Sequence, residues 1–442
     1  MRSTPVIGRR TAGHRRSVAA AAAAALACSA LVGCGGDAGG ARTLNWYINP
    51  DNTGATQEAA AQCSRNSGGR YTIATSVLPA TADGQREQIV RRLAAGDPSI
   101  DFMTIDPPYN PELASAGWLY EFTDAQRSEL LTDILESPIK TAEWKGKLVG
   151  VPYSANTQLL WYRKSVAQKA GVDPTSPTFT WDQMIDAAVR TNTIISEQGK
   201  RYEGYMVWVN GLIESAGGSI IRDNERGRDA TVSIDSPEGR EAARIIAKLA
   251  NSPAADPALS TADEEVGRIT FQGERGGFML NWPYAYASLQ GNVADGTTDP
   301  SVLEDVAWAR YPRVKADVPS KPPIGGANIG ISKFSTKKEL AVEAVKCLIS
   351  PPMQKIRFLG LGDPVATGSV YDDPDVRAKY PMADLMRESI NDAGPRPITP
   401  YYGDVSAAVQ RTWHTPAGVN PETTPATAAK LIDDVLHDRR LL

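Results

Sequence analysis

The hydrophobic and polar positions divide the chain into short apolar segments separated by longer segments with helical periodicity. Apolar runs predict strands at 44–48, 71–78 and 101–105, and amphipathic repeats predict helices at 55–65 and 83–95. This β-α-β-α-β order is typical of a parallel, doubly wound α/β sheet. Because such sheets bind ligands at the carboxyl ends of their strands, the polar residues that follow each strand are the first candidates for a site.

Local end signals predict further elements later in the chain. Thr180, followed three residues later by Gln183, forms a capping box that starts a helix at residue 181. Ser236 precedes a proline, which is favoured in the first turn of a helix. A strand-like run at 277–280 ends in a turn that contains Trp282.

The first 33 residues have the features of an export signal. Five arginines precede an uncharged, alanine-rich run of about 15 residues, which is shorter than the roughly 20 that a membrane-spanning helix needs. The run ends in Leu-Val-Gly-Cys at 31–34, which resembles the lipobox of bacterial lipoproteins. We therefore expect cleavage before Cys34, acylation of its thiol and a flexible, glycine-rich tether at 34–42. Export by the general or the twin-arginine route stays open.

Charge narrows the class of partner. Removal of the leader takes away five arginines and no acidic residue, which changes the net charge from −4 to −9. A net negative charge argues against binding to nucleic acid or to anionic lipid, so the acyl chains on Cys34 are the expected attachment to the membrane.

Two cysteines remain once Cys28 is removed with the leader and Cys34 is acylated. In an oxidising compartment, Cys63 and Cys347 form either a disulfide or two buried thiols. A disulfide requires that the fold return the chain to its start.

The sequence lacks the short motifs of common nucleophilic and metal-dependent enzymes, including G-x-x-x-x-G-K-[ST], G-x-S-x-G and H-E-x-x-H. Its three histidines, His14, His414 and His437, are too few for a histidine-rich metal site. We expect no metal and no cofactor. Carboxylate pairs are plentiful, so a glycoside hydrolase stays open as an alternative from a different class.

Aromatic side chains beside amide and acidic groups are the distinctive chemical feature. Trp282 lies between Asn281 and Tyr284, and Trp161 follows Asn156. Sugars present apolar C–H faces, which aromatic rings cover, and hydroxyl groups, which polar side chains bind. A closed site of this kind discriminates strongly, because unmatched buried polar groups are costly.

The stretches 150–162, 198–204, 281–283 and 325–328, which follow Asp106 in this order, resemble the extracellular solute-binding proteins of carbohydrate ABC importers. The resemblance covers essentially the whole mature chain. Within the family, the stretches 156–163, 215–219, 378–382 and 396–400 are most similar to the trehalose-binding lipoproteins of mycobacteria. The sequence departs from that pattern in the loop 49–52 and at Asp363, which stands in a Gly-Asp-Pro turn where the pattern has Gly-Leu-Pro.

The resemblance implies a periplasmic-binding-protein-like α/β fold, in which two lobes are joined by a hinge and enclose a ligand cleft. It implies that residues 43–152 and 310–351 form lobe one and that residues 153–309 and 352–442 form lobe two. It also places Cys63 and Cys347 on neighbouring helices of one lobe, which favours the disulfide.

The resemblance further implies that Trp282 stacks on a sugar ring and that Arg396 donates hydrogen bonds to hydroxyl groups. The complete set of implied ligand-binding residues is Asn52, Gln85, Asp106, Asn156, Glu203, Trp208, Asp263, Glu264, Trp282, Tyr284, Gly325, Gly326 and Arg396. One of Asp263 and Glu264 is expected to accept hydrogen bonds from the sugar. The alternatives are a cap or salt bridge for Glu203 and a structural ion pair for Arg396.

Together these expectations describe a monomeric, lipid-anchored substrate-binding protein at the outer face of the cell membrane. Its expected ligand is a disaccharide, first trehalose and alternatively maltose or another α-glucoside. Its expected protein partners are the transmembrane subunits of an ABC permease. The competing classes are an anchored glycoside hydrolase and a structural envelope lipoprotein.

Overall fold

Two large β-sheets and two small two-stranded sheets organise residues 42–441, the part of the chain that the computed structural model describes. The predicted export signal, Cys34 and the tether up to residue 41 lie outside the described residues. The thirteen strands of the described part are β1 Thr43–Ile48, β2 Thr72–Val77, β3 Phe102–Ile105, β4 Glu143–Trp144, β5 Lys147–Leu148, β6 Val151–Thr157, β7 Leu159–Arg163, β8 Ile194–Ser196, β9 Ile221–Arg222, β10 Thr231–Val232, β11 Gly276–Asn281, β12 Val306–Ala309 and β13 Ile324–Ile331.

Helices cover both sheets. The α-helices between residues 42 and 441 are α1 Ala55–Asn66, α2 Ala82–Ala94, α3 Asn110–Ser115, α4 Asp124–Leu130, α5 Glu136–Thr141, α6 Lys164–Ala170, α7 Trp181–Thr191, α8 Glu203–Ser215, α9 Pro237–Ala250, α10 Glu264–Gln272, α11 Tyr284–Ala294, α12 Pro300–Asp305, α13 Lys338–Leu348, α14 Pro351–Leu361, α15 Pro374–Lys379, α16 Ala383–Asp392, α17 Tyr402–Trp413 and α18 Thr424–Leu436. Among these helices none is both long enough and apolar enough to cross a bilayer.

The first sheet has the strand order β2-β1-β3-β13-β6, and the second has the order β12-β7-β11-β8. Strands β1, β2 and β3 are parallel, as their spacing predicts, and β13 runs antiparallel to both of its neighbours. In the second sheet, β8 and β11 are parallel, and β7 is antiparallel to β11 and β12. The sheets are therefore mixed, and each forms the centre of one lobe.

The chain passes from the first sheet to the second between β6 and β7 and returns between β12 and β13. The second sheet is thus inserted between strands of the first. The exact lobe boundaries given above remain a prediction.

The helix caps predicted from the sequence form the expected hydrogen bonds. The Thr180 hydroxyl accepts a hydrogen bond from the backbone N–H of Gln183 at 3.2 Å, and the Gln183 side chain accepts one from the Thr180 N–H at 2.9 Å. The Ser236 hydroxyl caps α9 by accepting from the N–H of Gly239 at 3.1 Å. The predicted capping box is confirmed, and its two reciprocal hydrogen bonds define the start of α7.

The first lobe is closed by a disulfide on one side of its core. Cys63 in α1 is bonded to Cys347 in α13, with their Cα atoms 5.8 Å apart, which confirms the expected pairing. Inside the same lobe, the ring of Trp46 stacks on Phe102 at a centroid distance of 5.5 Å and meets Tyr153 edge-on at 5.4 Å.

Candidate ligand-binding site

Two adjoining cavities lie between the lobes at the carboxyl ends of the central strands. One encloses about 410 Å³ and is called the inner compartment, and the other encloses about 540 Å³ and is called the outer compartment. The residues that line both are Asn49, Asn156, Glu265, Tyr284 and Gly326. Because these residues are shared, the two compartments form one cleft.

Arg396 connects the two lobes at the inner compartment. Its Nη1 donates to Asp106 Oδ2 at 3.0 Å and its Nη2 donates to Asp106 Oδ1 at 2.5 Å. Nη1 also donates to Glu203 Oε1 at 2.6 Å. Asp106 follows β3 of the first sheet, whereas the Asn210 side chain of α8 holds the loop of Arg396 by donating to the Pro395 carbonyl at 3.1 Å.

Glu203 is the first residue of α8 and is almost completely buried. Its carboxylate accepts hydrogen bonds from the hydroxyls of Tyr402 and Ser406, the latter at 2.7 Å. Burial raises the pKa of Glu203 to about 7, and the positive charge of Arg396 acts in the opposite direction. The ion pair that was an alternative for Glu203 is therefore present at the wall of the cleft, whereas the cap is not, because Tyr202 occupies the N-cap position of α8 and no side chain within residues 42–441 caps this helix.

Trp282 follows β11 and presents its ring to the inner compartment. The Asn281 side chain fixes the turn by accepting from the Trp282 N–H at 2.8 Å. A Cβ at Gly325 would lie 2.8 Å from the indole ring, so only glycine allows β13 to approach it this closely. Gly326 has a φ of 100°, and a Cβ there would lie 2.3 Å from the Ser154 carbonyl oxygen.

The start of α10 brings the acidic side chains of Asp263 and Glu264 to the inner compartment, and the next residue, Glu265, lines both compartments. Asp263 caps the helix by accepting from the Val266 N–H at 3.2 Å and pairs with Lys200 at 2.9 Å. Glu264 accepts from the Tyr202 hydroxyl at 2.6 Å, and burial raises the pKa of its carboxyl. Both carboxylates line the inner compartment, so each has a path to a ligand.

The structure brings most of the predicted ligand-binding residues together. Those that line the inner compartment are Gln85, Asp106, Asn156, Glu203, Asp263, Glu264, Trp282, Tyr284, Gly325, Gly326 and Arg396. Asn52 lines the outer compartment instead.

The prediction that Trp208 binds the ligand is wrong, because its side chain lines neither compartment. Its side chain is fully buried and packs against Trp181 and Tyr205 at centroid distances of 6.1 and 5.9 Å. Glu203 and Val207, four residues apart, face the inner compartment, and the next residue is rotated by about 100° around the helix into the core.

Sequence reasoning missed several lining residues. Lys200 and Tyr202 line the inner compartment and lie close to Glu203 in the sequence. Asn49 also lines it and directly follows β1, so its position at the end of a strand was a signal that could have identified it. Arg357 and Asp363 line the outer compartment and carried no such signal.

The chain belongs to a known family of bacterial proteins and has curated relatives. A family model described as "Bacterial extracellular solute-binding protein" matches residues 50–355. The chain is 25% identical over 304 residues to a probable ABC transporter-binding protein of Deinococcus radiodurans, covering 66% of this chain and 69% of that protein. It is 23% identical over 272 residues to the diacetylchitobiose binding protein DasA of Streptomyces coelicolor, covering 61% of this chain and 60% of that protein.

Solved structures share the fold. Maltose-bound MalE3 of T. maritima has a TM-score of 0.77 at 24% identity, covering 90% of this chain and all of that one. The GacH receptor of Streptomyces glaucescens, solved without ligand and with acarbose, has a TM-score of 0.73 at 20% identity, covering 90% and 97%. The predicted periplasmic-binding-protein-like fold with two α/β lobes is confirmed.

Proposed function

We propose that this chain, which belongs to the family of bacterial extracellular solute-binding proteins, captures a disaccharide and delivers it to an ABC importer. Trehalose is the first candidate, and maltose or another α-glucoside is the alternative. Because the family consists of proteins that bind solutes, the chain is not an enzyme.

One observation carries the assignment to sugars. The inner compartment combines the ring of Trp282 with the hydrogen-bonded groups of Asp106, Glu203 and Arg396. A pyranose has an apolar face that suits the ring and hydroxyl groups that suit the charged side chains. The outer compartment continues the cleft and gives room for a second ring.

The comparisons support this reading. One structural neighbour is bound to maltose, another to acarbose, and a relative is named for diacetylchitobiose. The name of the Deinococcus radiodurans relative supports an ABC transporter as the partner. We extend these ligand and partner classes to this chain as part of the proposal.

Closure of the two lobes is the proposed means of capture. Arg396 contacts Asp106 across the cleft, so a sugar that bonds to either residue changes how the lobes are held together. A ligand shifts such an equilibrium only by the difference between its affinities for the closed and open states. The closed form then presents the docking surface for the transmembrane subunits.

The proposal includes the location. A lipid-modified Cys34 would hold a single chain at the outer face of the cell membrane through the tether at 34–42. Mass spectrometry of the protein from its native membrane, with and without lipoprotein signal peptidase, tests this part. A mature chain that starts at a residue other than Cys34 would contradict it.

Calorimetric titration of the refolded, ligand-free mature chain tests the ligand. We expect saturable one-to-one binding of trehalose, weaker binding of maltose and still weaker binding of glucose. A ligand present at a hundred times its Kd also stabilises the fold by about 2.7 kcal/mol, which thermal unfolding detects. Binding of maltose but not trehalose would be consistent with the proposed function and would reject the trehalose preference. No detectable binding of any of the three sugars would reject the disaccharide assignment.

A further inference from the structure

Asp363 lines the outer compartment and is not one of the ligand-binding residues predicted from the sequence. It follows α14 and lines the cavity, with 21% of its side chain exposed. Its Oδ1 accepts a hydrogen bond from Asn156 Nδ2 at 2.6 Å, and its Oδ2 accepts one from Arg357 Nη2. The Asn156 amide is itself oriented, because its Oδ1 accepts from the Thr157 N–H at 2.9 Å.

Arg357 forms an ion pair with Asp363 and is more deeply buried than its partner. The Arg357 side chain is 9% exposed, and its guanidinium carbon lies 4.7 Å from the ring centroid of Tyr153. Its Nε and Nη1 have no hydrogen-bond partner within residues 42–441. The charge of Arg357 is therefore directed at Asp363, which fixes that carboxylate and neutralises it.

The remaining hydrogen-bonding capacity of Asp363 faces the cavity. A carboxylate has about four acceptor positions, two on each oxygen. Asn156 and Arg357 occupy one position on each oxygen, which leaves one position on each. Adjacent hydroxyls of a sugar ring are spaced to donate to the two oxygens of one carboxylate.

Asp51 lines the same compartment, but most of its acceptor positions are already used by the neighbouring backbone. Its carboxylate accepts from the backbone N–H groups of Thr53, Gly54 and Thr56 and from the Thr53 hydroxyl, and it caps the start of α1. It has no comparable capacity for a ligand.

The inner compartment repeats the arrangement of Asp363. Both oxygens of Asp106 accept one guanidinium N–H from Arg396 and keep one acceptor position each. The cleft thus contains two aspartates, one in each compartment, that are each held by an arginine.

We propose that Asp363, positioned by Arg357 and Asn156, binds two adjacent hydroxyl groups on the second ring of the ligand. The inference rests on the proposed function and deepens it, because it requires a neutral disaccharide with an unsubstituted pair of adjacent hydroxyls on both rings. Neutral hydroxyls are favoured over a cationic amine because Arg357 already balances the charge of Asp363.

The test compares Asp363→Asn with Asp372→Asn, which alters an exposed aspartate in surface ion pairs with Arg377 and Arg387. The substituted amide replaces an acceptor by a donor, so we expect Asp363→Asn to weaken trehalose binding about tenfold or more in calorimetry. A single ring held in the inner compartment would not reach Asp363, which lines only the outer one, so the affinity for glucose should change less than about twofold. Asp372→Asn should leave both affinities unchanged, and thermal unfolding of both variants confirms the fold.

A second variant tests the positioning role of Arg357. In Arg357→Met the carboxylate of Asp363 loses the cation that holds it, so trehalose affinity should fall about tenfold or more while glucose affinity changes less than about twofold. Arg357→Lys keeps the positive charge and should restore part of the trehalose affinity, which a merely structural role for Arg357 would not explain. Asp363→Asn that binds trehalose as the wild type does, or that weakens glucose equally, overturns this inference alone. A wild-type chain that binds neither sugar overturns the proposed function and this inference with it.

Discussion

The guanidinium of Arg396 holds both carboxylate oxygens of Asp106, although the two residues are 290 positions apart in the sequence. The same guanidinium holds Glu203, so one buried cation balances two carboxylates that come from different lobes. Removal of one partner from such a cluster leaves buried charge without compensation, which costs more than the intact cluster contributes.

Arg396→Met should therefore destabilise the fold strongly. We expect a loss of about 3–5 kcal/mol in the free energy of unfolding, measured by urea denaturation at pH 7. Arg310→Met is the matched control, because Arg310 also pairs with two carboxylates, Glu388 and Asp392, but is 46% exposed. That variant should lose about 1 kcal/mol or less, and equal losses in the two variants would contradict the prediction.

Trp282→Ala should weaken sugar binding without unfolding the protein. The ring lines the inner compartment, and loss of its apolar surface should lower the affinity for the preferred disaccharide about tenfold or more, measured by calorimetry. Trp308→Ala is the control, since Trp308 packs against Tyr286 at a centroid distance of 5.6 Å and lines neither compartment. An equal loss of affinity in both variants would exclude a specific role for Trp282.

Glu197 should make stability depend on pH. It is buried behind the cleft, forms no ion pair within residues 42–441, and burial raises its pKa from the ordinary 4.5 to about 8. Between these two values the folded state binds a proton that the unfolded state has lost. The free energy of unfolding therefore falls as pH rises from about 4.5 to 8, on the order of a few kcal/mol.

Glu197→Gln imitates the protonated side chain and should flatten part of this decline. Urea denaturation should show the variant similar to the wild type at pH 5 and more stable at pH 9. Glu87→Gln changes an exposed glutamate and serves as the control. A variant whose stability follows the wild-type curve throughout would show that Glu197 does not carry the effect.

The disulfide should contribute to stability and not to recognition. Replacing both Cys63 and Cys347 by alanine should lower the free energy of unfolding by about 2–5 kcal/mol, because the bond restricts the unfolded chain. Neither residue lines the cleft, so the sugar affinity of the folded double variant should match that of the wild type. A large loss of affinity would instead connect this side of the first lobe to the cleft.

Local structure was predictable because its causes are local. The order β1-α1-β2-α2-β3 was predicted to within one residue at each end, since apolar spacing and capping residues act over a few positions. The inner compartment followed from a resemblance that aligned distant motifs, and not from periodicity. Trp208 shows the limit of that transfer, because one residue along a helix separates the cleft face from the core.

The outer compartment could not be predicted in the same way. Asn156 and Asp363 are 207 positions apart, and their contact depends on how β6 and the end of α14 meet. Arg357 lies on a helix with apolar neighbours, and its sequence context is that of an ordinary surface arginine. Only the assembled lobes show that it is buried and aimed at a carboxylate.

For a chain that is exported unfolded from its amino end, the insertion of the second sheet between strands of the first sets the order in which the strands become available. Strand β13 lies between β3 and β6, so the first sheet stays incomplete until residue 331 has emerged. By then β7, β8, β11 and β12 are already outside, and the second sheet has all of its strands. Cys347 follows β13 in the chain, so under this route its bond to Cys63 can form only after every strand of the inserted sheet has crossed the membrane.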